Sequence, residues 1–276
     1  MPMRSVPGGE IYYELHGSSG DPTVLVHGSW VDHHSWDAVV PGFAQALEVV
    51  VYDRRGYGAS PVGPRVHSVR DDAADLAALL ESLNVYPAHV IAHSYGGAVA
   101  LRLATERPEM VRSLALHEPP FLGLLVADPA TVAEGDELTA GVRELQRLVR
   151  AGESERAAQR LTEVFSTETG AWQRLSPEVQ RSFVGAADLW AAEFDDPEAL
   201  LPEVTSVRDL MIPVLLTVGT RSPRFLHRIT QDLAHLLRNS QVVEIPGVGH
   251  VPHLSQPHQY VGLLVTFLLE RNVPGS

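Results

Sequence analysis

Val90-Ile91-Ala92-His93-Ser94-Tyr95-Gly96-Gly97 is the stretch whose reading decides the fold. The run 88–92, apolar apart from His89, has the length and character of a buried strand. Residues 98–107 continue as a helix that has to stop before Pro108. Strand, one sharp turn and helix, with serine at the apex, is the setting that the G-x-S-x-G nucleophile elbow requires. Small neighbours are needed there because the serine backbone is strained and a larger side chain would meet the next strand. Ala92 stands where that motif has its first glycine.

Outward from this turn, strand alternates with helix. Strands are expected at 11–15, 23–26, 48–52, 111–116, 214–218 and 241–245, the first entered through Pro7-Gly8-Gly9. Ser35 can cap a helix with Trp36, Val39, Val40 and Phe43 on its apolar face, and further helices are expected near 69–83, 223–237 and 257–269. This rhythm gives an α/β fold, a mostly parallel central sheet flanked by helices, whose sites lie at the carboxyl ends of the strands. His27, Asp53, Ser94 and Glu118 all fall just past such an end. Between 119 and 210 the alternation breaks into helical patterns near 130–149, 154–165, 177–190 and 197–201. The expected division is therefore a core of 1–118 and 211–276 with a helical lid inserted at 119–210.

Composition narrows the chemistry. A chain of 276 residues accommodates one large domain plus an insertion. A net charge of -13 argues against nucleic acid as a partner. All 21 basic residues are arginine, which removes lysine Schiff bases and the P-loop lysine. The absence of cysteine removes disulfides, thiolate nucleophiles and cysteine-ligated metal. Residues 1–17 carry no signal-peptide core, and the longest apolar run, 261–269, is too short to cross a bilayer. A soluble, cytoplasmic protein with no membrane partner is expected.

His27-Gly28-Ser29-Trp30, the turn Asp53-Arg54-Arg55-Gly56-Tyr57-Gly58-Ala59-Ser60, the elbow and Pro246-Gly247-Val248-Gly249-His250 follow one another along the chain. In that order, and over nearly its whole length, the sequence resembles the α/β-hydrolase superfamily. The resemblance implies the α/β-hydrolase fold and a catalytic order of serine, acid, histidine. Ser94 is then the nucleophile. His250, in a glycine-rich loop after the last strand, is the expected base that takes its proton. Of thirteen histidines only His27 and His250 stand in loops directly after strands with flanking glycines, and His27 precedes the elbow.

The acid does not occupy its usual place. After the penultimate strand the chain reads Gly219-Thr220-Arg221-Ser222-Pro223-Arg224, with no carboxylate, and Asp232 lies too far along the next helix. The other position the superfamily uses, after the strand that follows the elbow helix, reads His117-Glu118-Pro119-Pro120. Haloalkane dehalogenases and zearalenone lactonases place a glutamate here, so Glu118 is the expected acid. The competing reading is a hinge carboxylate bridging to the lid.

By position, the backbone N–H groups of Ser29 and Tyr95 are the expected oxyanion donors. The turn at 53–60 matches the family's D-x-R-G-x-G-x-S and is expected to be structural, with an internal salt bridge. A metal at Asp32, His33 and His34 is set aside because adjacent histidines rarely converge on one ion; His93 is expected to pack on the opposite face of its strand. Trp30, Phe121 and Trp190 are candidate pocket walls, although aromatic residues at helical spacing serve equally well to pack a lid. Ser94 argues against dehalogenase and epoxide-hydrolase chemistry, since those relatives carry aspartate at the elbow. The expectation is a cofactor-independent serine hydrolase of apolar carboxylic esters or lactones. Its rivals are a catalytically slow ligand-binding or signalling member of the superfamily and a cofactor-free perhydrolase or haloperoxidase.

Overall fold

The computed structural model of the chain describes residues 2–7, 9–63, 68–166 and 170–270. Gly8, in the expected entry turn, lies outside the described residues. Eight strands form one sheet: β1 (Met3–Val6), β2 (Gly9–His16), β3 (Pro22–Val26), β4 (Glu48–Tyr52), β5 (Ala88–His93), β6 (Val111–His117), β7 (Val214–Gly219) and β8 (Ser240–Ile245). Their order is β1-β2-β4-β3-β5-β6-β7-β8, with β2 antiparallel to both β1 and β4 and every other neighbouring pair parallel. Strand β1 was not anticipated; four residues pairing at a sheet edge are too few to show a period.

The site is located by a change of direction. From β3 the chain steps to β4 on one side, then returns to lay β5 on the other. The loops leaving β3 and β5 therefore diverge from adjacent strand ends, opening the crevice that such sheets offer to ligands.

Helix α1 (Val40–Phe43) is shorter than expected, and His33–Trp36 forms a separate 3-10 turn. Asp32, not Ser35, caps that turn through the His34 N–H, while the Ser35 hydroxyl donates to the Asp32 carbonyl. Pro41 explains the split, because a continuous helix would need an N–H that proline lacks. Helix α2 (Val69–Leu83) begins at Ser68, whose hydroxyl accepts from the Asp71 N–H, and closes at Asn84 in the left-handed region. Helix α3 (Tyr95–Glu106) follows the elbow.

Between β6 and β7 the described residues hold helices only. These are α4 (Leu122–Ala127), α5 (Val132–Arg150), α6 (Ser154–Phe165), α7 (Ala171–Arg174), α8 (Pro177–Gly185), α9 (Ala187–Glu193), α10 (Pro197–Leu200) and α11 (Val204–Asp209). The remaining helices of the described residues are α12 (Arg224–Leu236), α13 (Pro252–Ser255) and α14 (Pro257–Glu270). Among the described residues no helix is long and apolar enough to cross a membrane.

Alternation along β5 feeds two cores. Val90 and Ala92 join the cluster shared with α2, α3 and α12, while Ile91 joins Tyr260, Leu264 and Phe267 of α14. A third cluster ties the helices between β6 and β7 to the strand-end loops, with Trp30 and Tyr57 packed among Leu145, Ala157, Trp172 and Trp190.

Candidate active site

Ser94 sits at φ 51° and ψ -125°, a conformation that costs roughly 1–3 kcal/mol and survives only where its surroundings impose it. Its N–H donates to the His117 carbonyl at 2.9 Å, and α3 starts at the next residue. A Cβ at Gly96 would lie 2.4 Å from the Val26 carbonyl oxygen and 2.6 Å from that of His27. Helix and strand thus touch backbone to backbone, and no side chain fits between them. Four non-glycine residues among those described have positive φ: Trp30, Asn84, Ser94 and Glu118. Asn84 ends a helix; the other three lie in the loops leaving β3, β5 and β6.

Glu118 is completely buried at the end of β6. Its Oε2 accepts from His250 Nδ1 at 2.6 Å, and its Oε1 accepts from the Gly219 N–H at 2.8 Å. Burial alone would raise its carboxyl; the imidazoles of His117 and His250 outweigh that and leave it lowered to about 2. The carboxylate is therefore charged at neutral pH and fixes His250 with Nε2 as the remaining ring nitrogen. His93 Nε2 donates to the His250 carbonyl at 2.7 Å, and Phe165 of α6 stacks on the His250 ring at 4.4 Å and 21°. Among the described hydrogen bonds none joins Ser94 to His250; such bonds are often long before substrate binds.

His93 faces away from the elbow helix, as expected, against His250 and His253. Burial, with neighbouring imidazoles adding to it, lowers His93 well below the usual range, His117 to about 4 and His253 to about 3. Three neutral imidazoles therefore surround His250 at neutral pH.

The loop after β3 crosses directly over the elbow, since a Cβ on Gly28 would be 3.1 Å from Ser94 Cβ. This brings the Ser29 segment beside the first turn of α3, where helix N–H groups point outward. The Ser29 hydroxyl donates to Glu193 of α9. Arg54, on the loop after β4, pairs with Asp72 at 2.9 Å and with Glu193 at 2.6 Å, all three fully buried. Burial on its own would lower the Arg54 guanidinium; Glu193 and Asp72 outweigh it and hold it charged.

The expected internal salt bridge of the 53–60 turn is corrected by these contacts. Arg55 reaches out to Asp75 at 2.5 Å, and Asp53 accepts from the Ala59 N–H and from both the N–H and Nδ1 of His33. A turn this tight brings its own backbone to Asp53, and its arginines project to α2 and α9. Asp32, His33 and Asp53 bring donor atoms within 4.8 Å of one another, as do His117, Glu118 and His250. In each group a histidine Nδ1 is hydrogen-bonded to the carboxylate, which accounts for the proximity.

Trp30 is buried under α8 and α9, with ring centres 5.3 Å from Trp190 and 5.9 Å from Phe183. Phe121 packs in the large core cluster with α3. A cavity of about 140 Å³ opens between Trp30, Tyr57 and Leu189, and neither Ser94 nor His250 lines it. Arg54, Glu193 and Phe165 did not stand out from sequence. Glu193 alone left a trace, as a charge beside the apolar Trp190, Ala191 and Phe194.

Comparison with known proteins agrees with this architecture. A sequence model described as the alpha/beta hydrolase family matches residues 23–263. A fluoroacetate dehalogenase from a Burkholderia species is 38% identical over 105 residues, covering 36% of this chain and 34% of that protein. The chain spans less than half the length of the first curated relatives it matches, from 34% to 43%. A thermophilic esterase from Thermogutta terrifontis superposes with a TM-score of 0.77 at 24% identity over 99% of both chains. The enol-lactonase from Burkholderia xenovorans LB400 gives 0.76 at 17% identity, over 97% of this chain and 100% of that one. At these identities the likeness speaks for the fold.

Proposed function

Because this chain belongs to the α/β-hydrolase family, we propose that it is a cofactor-independent serine hydrolase cleaving carboxylic esters or lactones of apolar small molecules. The observation that carries the reading is the buried, charged Glu118 bonded to His250 Nδ1 beside a strained Ser94.

In this account Ser94 Oγ attacks the carbonyl carbon while His250 Nε2 takes its proton. The oxyanion forms between the N–H groups of Ser29 and Tyr95, the alcohol leaves with the proton from His250, and water then releases the acyl group. Glu118 orients the imidazole and stabilises its charged form. The neutral states of His93, His117 and His253 support the same assignment, because none competes for the proton at neutral pH.

The same proposal treats 119–210 as a lid over a core of 1–118 and 211–276, with Trp30 and Trp190 on its apolar underside; Phe121, packed with α3, lies further from such a pocket. A cytoplasmic location belongs to the proposal as well. Serine at the elbow supports ester over halide cleavage. The test is a fluorophosphonate label mapped by mass spectrometry, followed by a panel of esters and lactones. Label at Ser94 with turnover on that panel supports the reading. Label without turnover favours a binding protein on the same scaffold.

A further inference from the structure

Glu193 ends α9, and its carboxylate is wholly buried in a row whose other inward residues, Ala187, Trp190 and Ala191, are apolar. Burying a carboxylate there carries a desolvation cost, which a lid that merely covered the site would not require. The two carboxylate oxygens have separate partners. Oε1 accepts from Arg54 Nη2 at 2.6 Å and from the Tyr57 hydroxyl at 3.0 Å, while Oε2 accepts from the Ser29 hydroxyl.

Arg54 grips the same loop from the core side. Its backbone N–H donates to His27 Nε2 at 2.9 Å, its Nε to the His27 carbonyl at 3.2 Å and its Nη2 to the Gly28 carbonyl at 3.1 Å. Its guanidinium carbon also lies 4.6 Å from the centre of the Tyr95 ring. One buried ion pair therefore reaches both residues assigned as oxyanion donors, Ser29 through its hydroxyl and Tyr95 through its ring.

We infer that Glu193 is a positioning residue that ties the Ser29 loop to the insertion, so that the oxyanion hole is complete only while the insertion is seated over the strand ends. Its kinetic consequence rests on the serine-hydrolase reading; its structural consequence does not. A carboxylate suits the task because a hydrogen bond to a charged acceptor is roughly twice as strong as a neutral one. Losing it would release the Ser29 loop and leave the buried Arg54 with Asp72 as its remaining carboxylate.

The experiment compares Ser29→Ala, Glu193→Gln, their double variant and Asp195→Asn, which removes an exposed ion pair with Arg150 and alters a hydrogen bond from Gln146, both away from the Ser29 loop. The readouts are kcat and KM on p-nitrophenyl butyrate, and amide hydrogen exchange across residues 27–30. A displaced oxyanion donor weakens the transition state and not the ground state. Ser29→Ala and Glu193→Gln should therefore each lower kcat by about tenfold or more with KM within about twofold, less than outright loss of a donor. The double variant should be no worse than the worse single one, because the two act through one contact. Exchange across 27–30 should rise at least about tenfold in both single variants and stay unchanged in Asp195→Asn.

A raised KM with unchanged kcat, multiplying effects in the double variant, or unchanged exchange would overturn the inference. Ser29→Ala keeps the Arg54–Glu193 pair and so carries the test if Glu193→Gln folds poorly. If the parent turns over no ester, the serine-hydrolase reading fails, and the exchange measurement still decides whether Glu193 holds the loop.

Discussion

The carboxylate of Glu118 receives the His250 ring at 2.6 Å from one side and the Gly219 N–H at 2.8 Å from the other. On the proposed reading, in which Glu118 orients the base, the second contact explains how an acid at the end of β6 replaces one at the end of β7. The missing carboxylate would have hung from the β7 loop; here that loop donates its backbone N–H to Glu118 instead. Both arrangements bring an acid to one imidazole, and only the supporting strand differs.

Glu118→Gln should therefore lower turnover about 10³- to 10⁴-fold, since an amide supports the wrong tautomer of the base. Asp232→Asn should leave turnover within about twofold, because Asp232 pairs at 3.1 Å with Arg228, one turn back on α12, and does not touch His250. Steady-state kinetics on one ester decides, and the reverse ranking would return the acid to the β7 side.

Arg54 is the hinge of the buried charge network. Replacing it by methionine preserves bulk but removes the guanidinium that pairs with the buried carboxylates of Asp72 and Glu193. Loss of about 3–5 kcal/mol of stability is expected, read as a lower urea midpoint. Arg150→Met, which breaks an exposed pair with Asp195, should cost under about 1 kcal/mol.

Acid should destabilise the protein well above the range where carboxylates titrate. His117 and His253 are lowered to about 4 and about 3 by burial, from an ordinary value near 6.5. The unfolded chain then binds protons that the folded chain refuses, so stability falls as pH drops below about 6.5. Each of these imidazoles contributes a slope of about 1.4 kcal/mol per pH unit, continuing until its folded value is reached. Glu118, lowered to about 2, contributes stability above about 4.5 that is lost only as pH falls toward 2. Urea unfolding at pH 7.5, 6.5 and 5.5 should show a steep loss over the last step. Constant stability down to pH 5 would show that these histidines are not held neutral.

Much of the sheet could be read from sequence because buried parallel strands such as 214–218, broken only by Thr217, are short apolar runs bounded by turns. Helix α2 was equally legible, from leucines at 76, 79, 80 and 83 that keep a helical spacing. Strand β1 and the broken helix around Pro41 were not, since edge pairing and a local loss of one N–H leave little periodic trace. Ser94, Glu118 and His250 could be proposed because each follows a strand or sits among glycines. Arg54 and Glu193 could not be paired, because their contact spans 139 residues and depends on how the helices between β6 and β7 fold back. Phe165 stacked on His250 escaped notice for the same reason.

Acyl transfer at Ser94 is the central claim, and Ser94→Ala tests it most directly. Initial rates of p-nitrophenyl butyrate hydrolysis by parent and variant would be compared at equal concentration, with circular dichroism confirming equal folding. Removal of the nucleophile should reduce kcat by about 10⁴-fold or more, leaving only the residual rate that binding and oxyanion donors sustain. A variant that keeps a rate within about tenfold of the parent would contradict the account.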